Sequence, residues 1–154
     1  MTKERRSVPR QSDLIDILEI QQLKARYARF GDTKNWTELR QCLTDDFHCL
    51  VDGAPRALVA APDRYEVHSA DDFLANAVRM VAEVQPIHHL TLPEIAITGD
   101  GTATGIWAIQ DYLIAPHCIF RGWGHYHDHY LKRDGRWRIR ESVLTRIRVE
   151  ETWL

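Results

Sequence analysis

No run of this chain stays apolar for the roughly 18 to 20 residues that a helix needs to cross a bilayer, which excludes a helical membrane span. The opening Met1-Thr-Lys-Glu-Arg-Arg reaches Pro9 without the apolar core of a secretory signal. Residues 1–10 therefore read as a loose basic tail ahead of one domain over 11–154. Cysteine is scarce: Cys42, Cys49 and Cys118 are odd in number, widely spaced and form no Cys-x-x-Cys. Neither a disulfide framework nor a zinc ribbon is indicated, and a reducing cytoplasm is the expected setting. An excess of either charge is also missing. The 20 basic and 22 acidic residues are interspersed and leave a net charge of −2, so nothing marks a nucleic-acid or anionic-membrane partner. No Gly-rich phosphate loop is present, and the sequence implies no nucleotide, flavin or metal.

What is there suits a compact α+β domain, because 154 residues with 44% hydrophobic content can bury one core but scarcely two. Ser12-Asp13 can cap a first helix in which Ile20, Leu23, Tyr27 and Phe30 share an apolar stripe, and Gly31 is its expected end. Asn35-Trp36-Thr37-Glu38 has capping-box spacing and opens a second helix with Trp36, Leu39 and Leu43 inward. A short strand is expected at 47–51 and an irregular stretch over 54–68, around Pro55 and Pro62. Ser69-Ala70-Asp71-Asp72 begins a third helix carrying Phe73, Leu74, Ala77, Val78 and Val81. From Pro86 onward the period becomes two, with strands near 87–97, 103–114, 120–132 and 136–149. Asp100-Gly101 and Asp134-Gly135 supply hairpin turns. Helices first and mostly antiparallel strands after them allow the helices to cover one face of a curved sheet and leave a pocket between.

Alternation along the strands limits which side chains reach that pocket. His88 and His89 are adjacent, so only one of them points inward. After Arg121, one face holds Trp123, His125, His127 and His129, and the other holds Gly124, Tyr126, Asp128 and Tyr130. The period does not say which face is inside.

The segment Tyr27 to Trp36, the Ile87-His88-His89 run and the closing Asp134-Gly135-Arg136-Trp137-Arg138-Ile139 resemble the SnoaL-like branch of the NTF2-like superfamily, over about residues 12–150. That branch includes scytalone dehydratase, bile-acid 7α-dehydratase and hexachlorocyclohexane dehydrochlorinase. The resemblance implies a cone-shaped α+β barrel: three N-terminal helices packed on a curved sheet that encloses an apolar pocket. It implies a catalytic Asp–His dyad at Asp32 and His88, with Tyr27 as a further catalytic residue. Trp107, Ile109, Asp111, Tyr126 and Asp128 would then face the pocket as substrate-binding residues, leaving His125, His127 and His129 outside. It also implies association into a dimer or trimer, commonly through that outer face. The pattern departs at Gly31, Val51 and Leu113, where scytalone dehydratase carries other catalytic residues, and at Tyr27 and Ser142, where the dehydrochlorinase has Lys and Arg. Neither of those two activities transfers as such.

The chemistry follows from residue type. A neutral imidazole is a competent base near neutral pH, and a carboxylate on its other nitrogen fixes the tautomer and stabilises the imidazolium that forms. A phenol can donate to a carbonyl whose charge grows as the neighbouring carbon loses a proton. The trio thus fits a cofactor-independent lyase acting on a small hydrophobic, hydroxylated carbonyl compound such as a polyketide, steroid or aromatic. An isomerase resembling ketosteroid isomerase, using Asp111 or Asp128, and a non-catalytic binding or accessory domain are the alternatives. Duller roles exist for each residue: Asp32 as the cap of the second helix, His88 as a half-buried strand histidine, Tyr27 as core packing. The ladder His125-x-His127-x-His129 can be a polar outer face, an interface or a metal-ligand set.

Overall fold

The computed structural model describes residues 10–53 and 64–154. Most of the expected basic tail and the Pro55 to Pro62 stretch lie outside the described residues. Helix α1 (Gln11–Asp32) starts one residue before the expected cap, with Arg10 donating from its backbone N–H and its guanidinium to the Asp13 carboxylate. It also runs through Gly31. The chain turns instead at Lys34, the residue that adopts a positive φ of 55°, while Thr33 Oγ1 donates to the Arg29 carbonyl at 2.8 Å. Asn35 caps α2 (Trp36–Gln41) by accepting from the Glu38 N–H, and Ser69 caps α3 (Ala70–Met80) by accepting from the Asp72 N–H at 3.1 Å. Val78 of α3 faces solvent rather than the core, because α3 buries only one side against β1.

Among the described residues seven strands form one sheet: β1 (Leu43–Asp52), β2 (Arg64–Val67), β3 (Gln85–Leu90), β4 (Glu94–Gly99), β5 (Thr102–Ala115), β6 (Cys118–Arg133) and β7 (Arg136–Trp153). Their order is β2-β1-β7-β6-β5-β3, with β4 also paired to β5. All pairs are antiparallel except β1 with β7. β2 lies in the stretch expected to be irregular. The single strand expected over 87–97 is two strands on the same partner, interrupted at 91–93, where Pro93 has no N–H to give to the ladder. At the β6–β7 hairpin Asp134 and Gly135 take φ of 52° and 70°, as a type I′ turn requires of both central residues.

The main core lies between α1, α2 and the sheet, where Ile20, Leu23, Leu39, Phe47, Tyr130 and Ile139 are buried together. Phe73 meets Phe47 edge-on at 5.2 Å and seats α3 over β1. Trp107, Ile109, Tyr126 and Leu144 form a second apolar cluster on the inner face. Asp16 pins α1 to the closing hairpin. Its carboxylate meets Lys132 Nζ at 2.6 Å and accepts from Trp137 Nε1 at 3.0 Å.

The Lys132 bond, followed by that from Trp137, holds Asp16 below the ordinary carboxylate range. Its contribution is complete above the unfolded pKa of 3.8 and is lost as pH falls through the lower folded value. Asp16→Asn should cost about 0.5–1 kcal/mol at neutral pH, after allowance for solvent screening. Urea titrations should show the gap between native protein and variant narrowing on acidification below the unfolded pKa; a gap that stays constant contradicts this role.

Candidate active site

The end of α1 and the start of β3 are laced together. Gln85 Nε2 donates to the Asp32 carbonyl at 3.1 Å, and the His88 N–H donates to Asp32 Oδ2 at 3.0 Å. These bonds bring the Asp32 side chain against the imidazole: Oδ1 lies 2.6 Å from His88 Nδ1. Asp32 is therefore not the cap of α2, a role taken by Asn35. An ionised carboxylate only accepts, so the neutral tautomer that this contact selects carries its proton on Nδ1 and its lone pair on Nε2. His89, one residue on, is exposed.

His88 lines a cavity of about 170 Å³ between α1, α3 and the inner face of the sheet. Its wall is mainly apolar, with Trp36, Val51, Phe73, Met80, Leu113 and Leu144 among its residues, and Tyr27, Tyr126, Asp111 and Arg146 supply polar groups. Burial holds both the Tyr27 and the Tyr126 phenol well above the ordinary tyrosine value, so each remains a hydrogen-bond donor. Burial also pushes the Cys49 thiol in this wall up to about 12, which removes it as a nucleophile at neutral pH.

Of the residues expected to contact a ligand, Asp111 and Tyr126 reach the cavity. Trp107, Ile109 and Asp128 share the inner face but do not line it. Trp107 and Ile109 pack in the apolar cluster beneath, where Trp107 Nε1 donates to Tyr130 Oη at 2.8 Å. Asp128 is fully buried. It sits 2.7 Å from Lys24 Nζ and accepts from Tyr130 Oη and Ser142 Oγ, each at 2.7 Å. His125, His127 and His129 alternate with these residues and lie on the outer face.

Two basic residues of the inner face escaped the sequence reading. Lys24 occupies the same apolar stripe as Ile20, Leu23 and Tyr27, a position that helical spacing alone would have marked as inward. Burial lowers its pKa from the lysine value while Asp128 acts the other way, and its ammonium rests 3.9 Å from the Tyr126 ring centre. Arg146 follows Ser142 and Leu144 at strand spacing. It grips Asp111 with two bonds of 2.6 and 2.8 Å, while its Nε has no hydrogen-bond partner among the described residues. Gly122 makes room for that pair, since a Cβ there would collide with both side chains.

The SnoaL-like domain family matches residues 12–143 of the chain. The chain belongs to this family. Among solved structures, this SnoaL-like protein is similar to a candidate scytalone dehydratase from Novosphingobium aromaticivorans, with a TM-score of 0.75 and 17% identity over 90% of this chain and 89% of that one. A protein of unknown function from Mycobacterium tuberculosis matches with a TM-score of 0.75 and 27% identity, over 92% of this chain and 77% of the other. A hexachlorocyclohexane dehydrochlorinase from Novosphingobium barchaimii matches with a TM-score of 0.69 and 20% identity, over 92% and 91%. The NTF2-like fold is thus common to this chain, to dehydratases and to dehydrochlorinases.

The buried pair below the cavity makes a stability test. Asp128→Asn leaves the Lys24 ammonium buried without a counter-charge and should cost about 3–5 kcal/mol in urea denaturation. Adding Lys24→Met should restore much of that loss; a double variant no more stable than the single one argues against the ion-pair account.

Proposed function

We propose that this protein is a cofactor-independent lyase of the dehydratase type, in which Asp32 and His88 abstract a proton next to a carbonyl group and water is expelled from the β-carbon. The observation that carries the proposal is the 2.6 Å contact between Asp32 Oδ1 and His88 Nδ1 beside an apolar cavity. It leaves Nε2 as the base. Asp32 orients the ring and stabilises the imidazolium once the carbon-bound proton has moved to Nε2. Tyr27 and Tyr126, both protonated and both on the wall, serve as donors to the carbonyl oxygen as negative charge collects there. The imidazolium then returns its proton to the departing hydroxyl, so the balance is one molecule of water lost and one double bond formed.

Cavity size bears on the substrate. A space of about 150 Å³ accepts a benzene ring, and small-molecule sites for larger ligands usually exceed about 300 Å³. The volume of about 170 Å³ favours a single-ring aromatic or similarly small hydroxylated carbonyl compound over a steroid. An isomerase working through Asp111 or Asp128 is disfavoured by their partners. Asp111 is held by both terminal nitrogens of Arg146, and Asp128 by Lys24, Tyr130 and Ser142, so neither is a free base.

The test uses β-hydroxy carbonyl compounds carrying one ring, followed by mass spectrometry for loss of water and by NMR in D₂O for exchange of the acidic C–H. Turnover or exchange should fall by on the order of 100-fold or more in both His88→Ala and Asp32→Asn, with circular dichroism unchanged. Retained rates in both variants would sink the dyad. Ligand binding with neither water loss nor C–H exchange in the native protein would leave a binding domain in its place.

A further inference from the structure

A second chemically competent cluster lies on the opposite side of the sheet, on the outer face. His48 of β1 and His68, one residue past β2, stand side by side, since the register of the two strands pairs Cys49 with Val67. Their rings are parallel within 2°, with centres 4.9 Å apart. Both Nε2 atoms approach the same carboxylate oxygen: Glu66 Oε1 is 2.9 Å from that of His48 and 3.8 Å from that of His68. One donor atom from each of the three residues falls within 4.8 Å of the others. Arg64 binds the other oxygen of Glu66 at 3.0 and 3.2 Å, which leaves Oε1 for the histidines. On its far side His48 Nδ1 meets Glu141 Oε2 of β7 at 3.0 Å, and His129 Nε2 of β6 lies 3.9 Å from the same carboxylate.

We propose that His48, Glu66 and His68 form a binding site for a divalent transition-metal ion of the zinc class, with Glu141 as the residue that positions His48. Ligands bound tetrahedrally at about 2.0–2.1 Å stand roughly 3.3 Å from one another, so the two short separations already bracket the required value. The imidazoles alone must close, by about 1–1.5 Å, to reach that spacing. His68 can make this movement because its side chain is 75% exposed and is not held by the ladder. Two imidazoles and a carboxylate suit zinc, nickel or copper better than calcium or magnesium, which prefer oxygen ligands. Ligating histidines characteristically donate their second ring N–H to a carboxylate, which fixes the tautomer and the ring orientation. Glu141 stands where that carboxylate belongs. The ion takes the place of the proton shared between His48 Nε2 and Glu66 Oε1, and the three side chains leave a fourth position open. The site shares no residue with the Asp32–His88 cavity and does not depend on the reaction proposed for it.

Zinc is the probe, added to tag-free, chelator-treated full-length protein at neutral pH and followed by calorimetry, with cobalt substitution giving a tetrahedral absorption band. One ion per chain should bind, and the melting temperature should rise with zinc concentration. His68→Ala and Glu66→Gln should each weaken zinc binding at least tenfold, and Glu141→Gln should do so by about 10- to 100-fold through misorientation of His48. His68→Ala alters an exposed side chain and keeps the test independent of folding. No zinc binding by the native protein, or unchanged affinity in His68→Ala, overturns the site. A loss of zinc binding in His88→Ala or His125→Ala, with His68→Ala unaffected, would place the ion elsewhere and equally overturn it.

Discussion

The buried pair of Lys24 and Asp128 is the constraint around which the inner face is arranged. Two charges removed from water lose several kcal/mol of hydration each, and their attraction offsets this only when the remaining donors and acceptors are also filled. Asp128 meets that demand with hydroxyls from Tyr130 and Ser142 in addition to the ammonium. Because Lys24 belongs to α1 and Asp128 to β6, the pair fixes the depth at which the helix lies on the sheet. Eight residues further along the same helix is Asp32, so the position of the carboxylate that meets His88 depends on the pair as well. Tyr27, between them in sequence, is carried to the cavity wall by the same anchorage.

Asp128 and Asp111 on the inner face and Asp32 at the end of α1 thus have three different environments. Asp128 is saturated and structural, and Asp111 is neutralised by a guanidinium. Asp32, about a quarter exposed, holds an imidazole that itself faces the cavity. Only the last arrangement leaves a group with a lone pair at the cavity surface. Distribution of charge, rather than the number of acidic residues, separates the proposed dyad from its neighbours.

Local signals made much of this fold legible. The caps at Asn35 and Ser69 and the Asp134-Gly135 turn depend on residues within four positions of one another, and they appear where the sequence places them. Alternation put His88 and His89 on opposite faces, and likewise the residues of β6. The pairing of Asp32 with His88 came from family resemblance, since 56 residues separate them and no local rule connects them. Features that rest on register between distant strands were not readable. β2 is four residues long in a stretch read as irregular, and the break at Pro93 was taken for continuity. The cross-strand meeting of His48, Glu66, His68 and Glu141 exists only once β2, β1 and β7 are aligned. Lys24 and Arg146 were missed for another reason: a basic side chain is ordinarily assigned to the surface, although the stripe on α1 and the alternation on β7 both pointed inward.

The one parallel pairing, β1 with β7, governs the order in which the molecule can be completed. β7 sits between β1 and β6, yet it is synthesised after both of them. Until then the early β1–β2 ribbon has no path to the rest of the sheet, and its inward apolar residues have no sheet to complete their packing. The sheet therefore stays incomplete until β7 has paired along both of its edges.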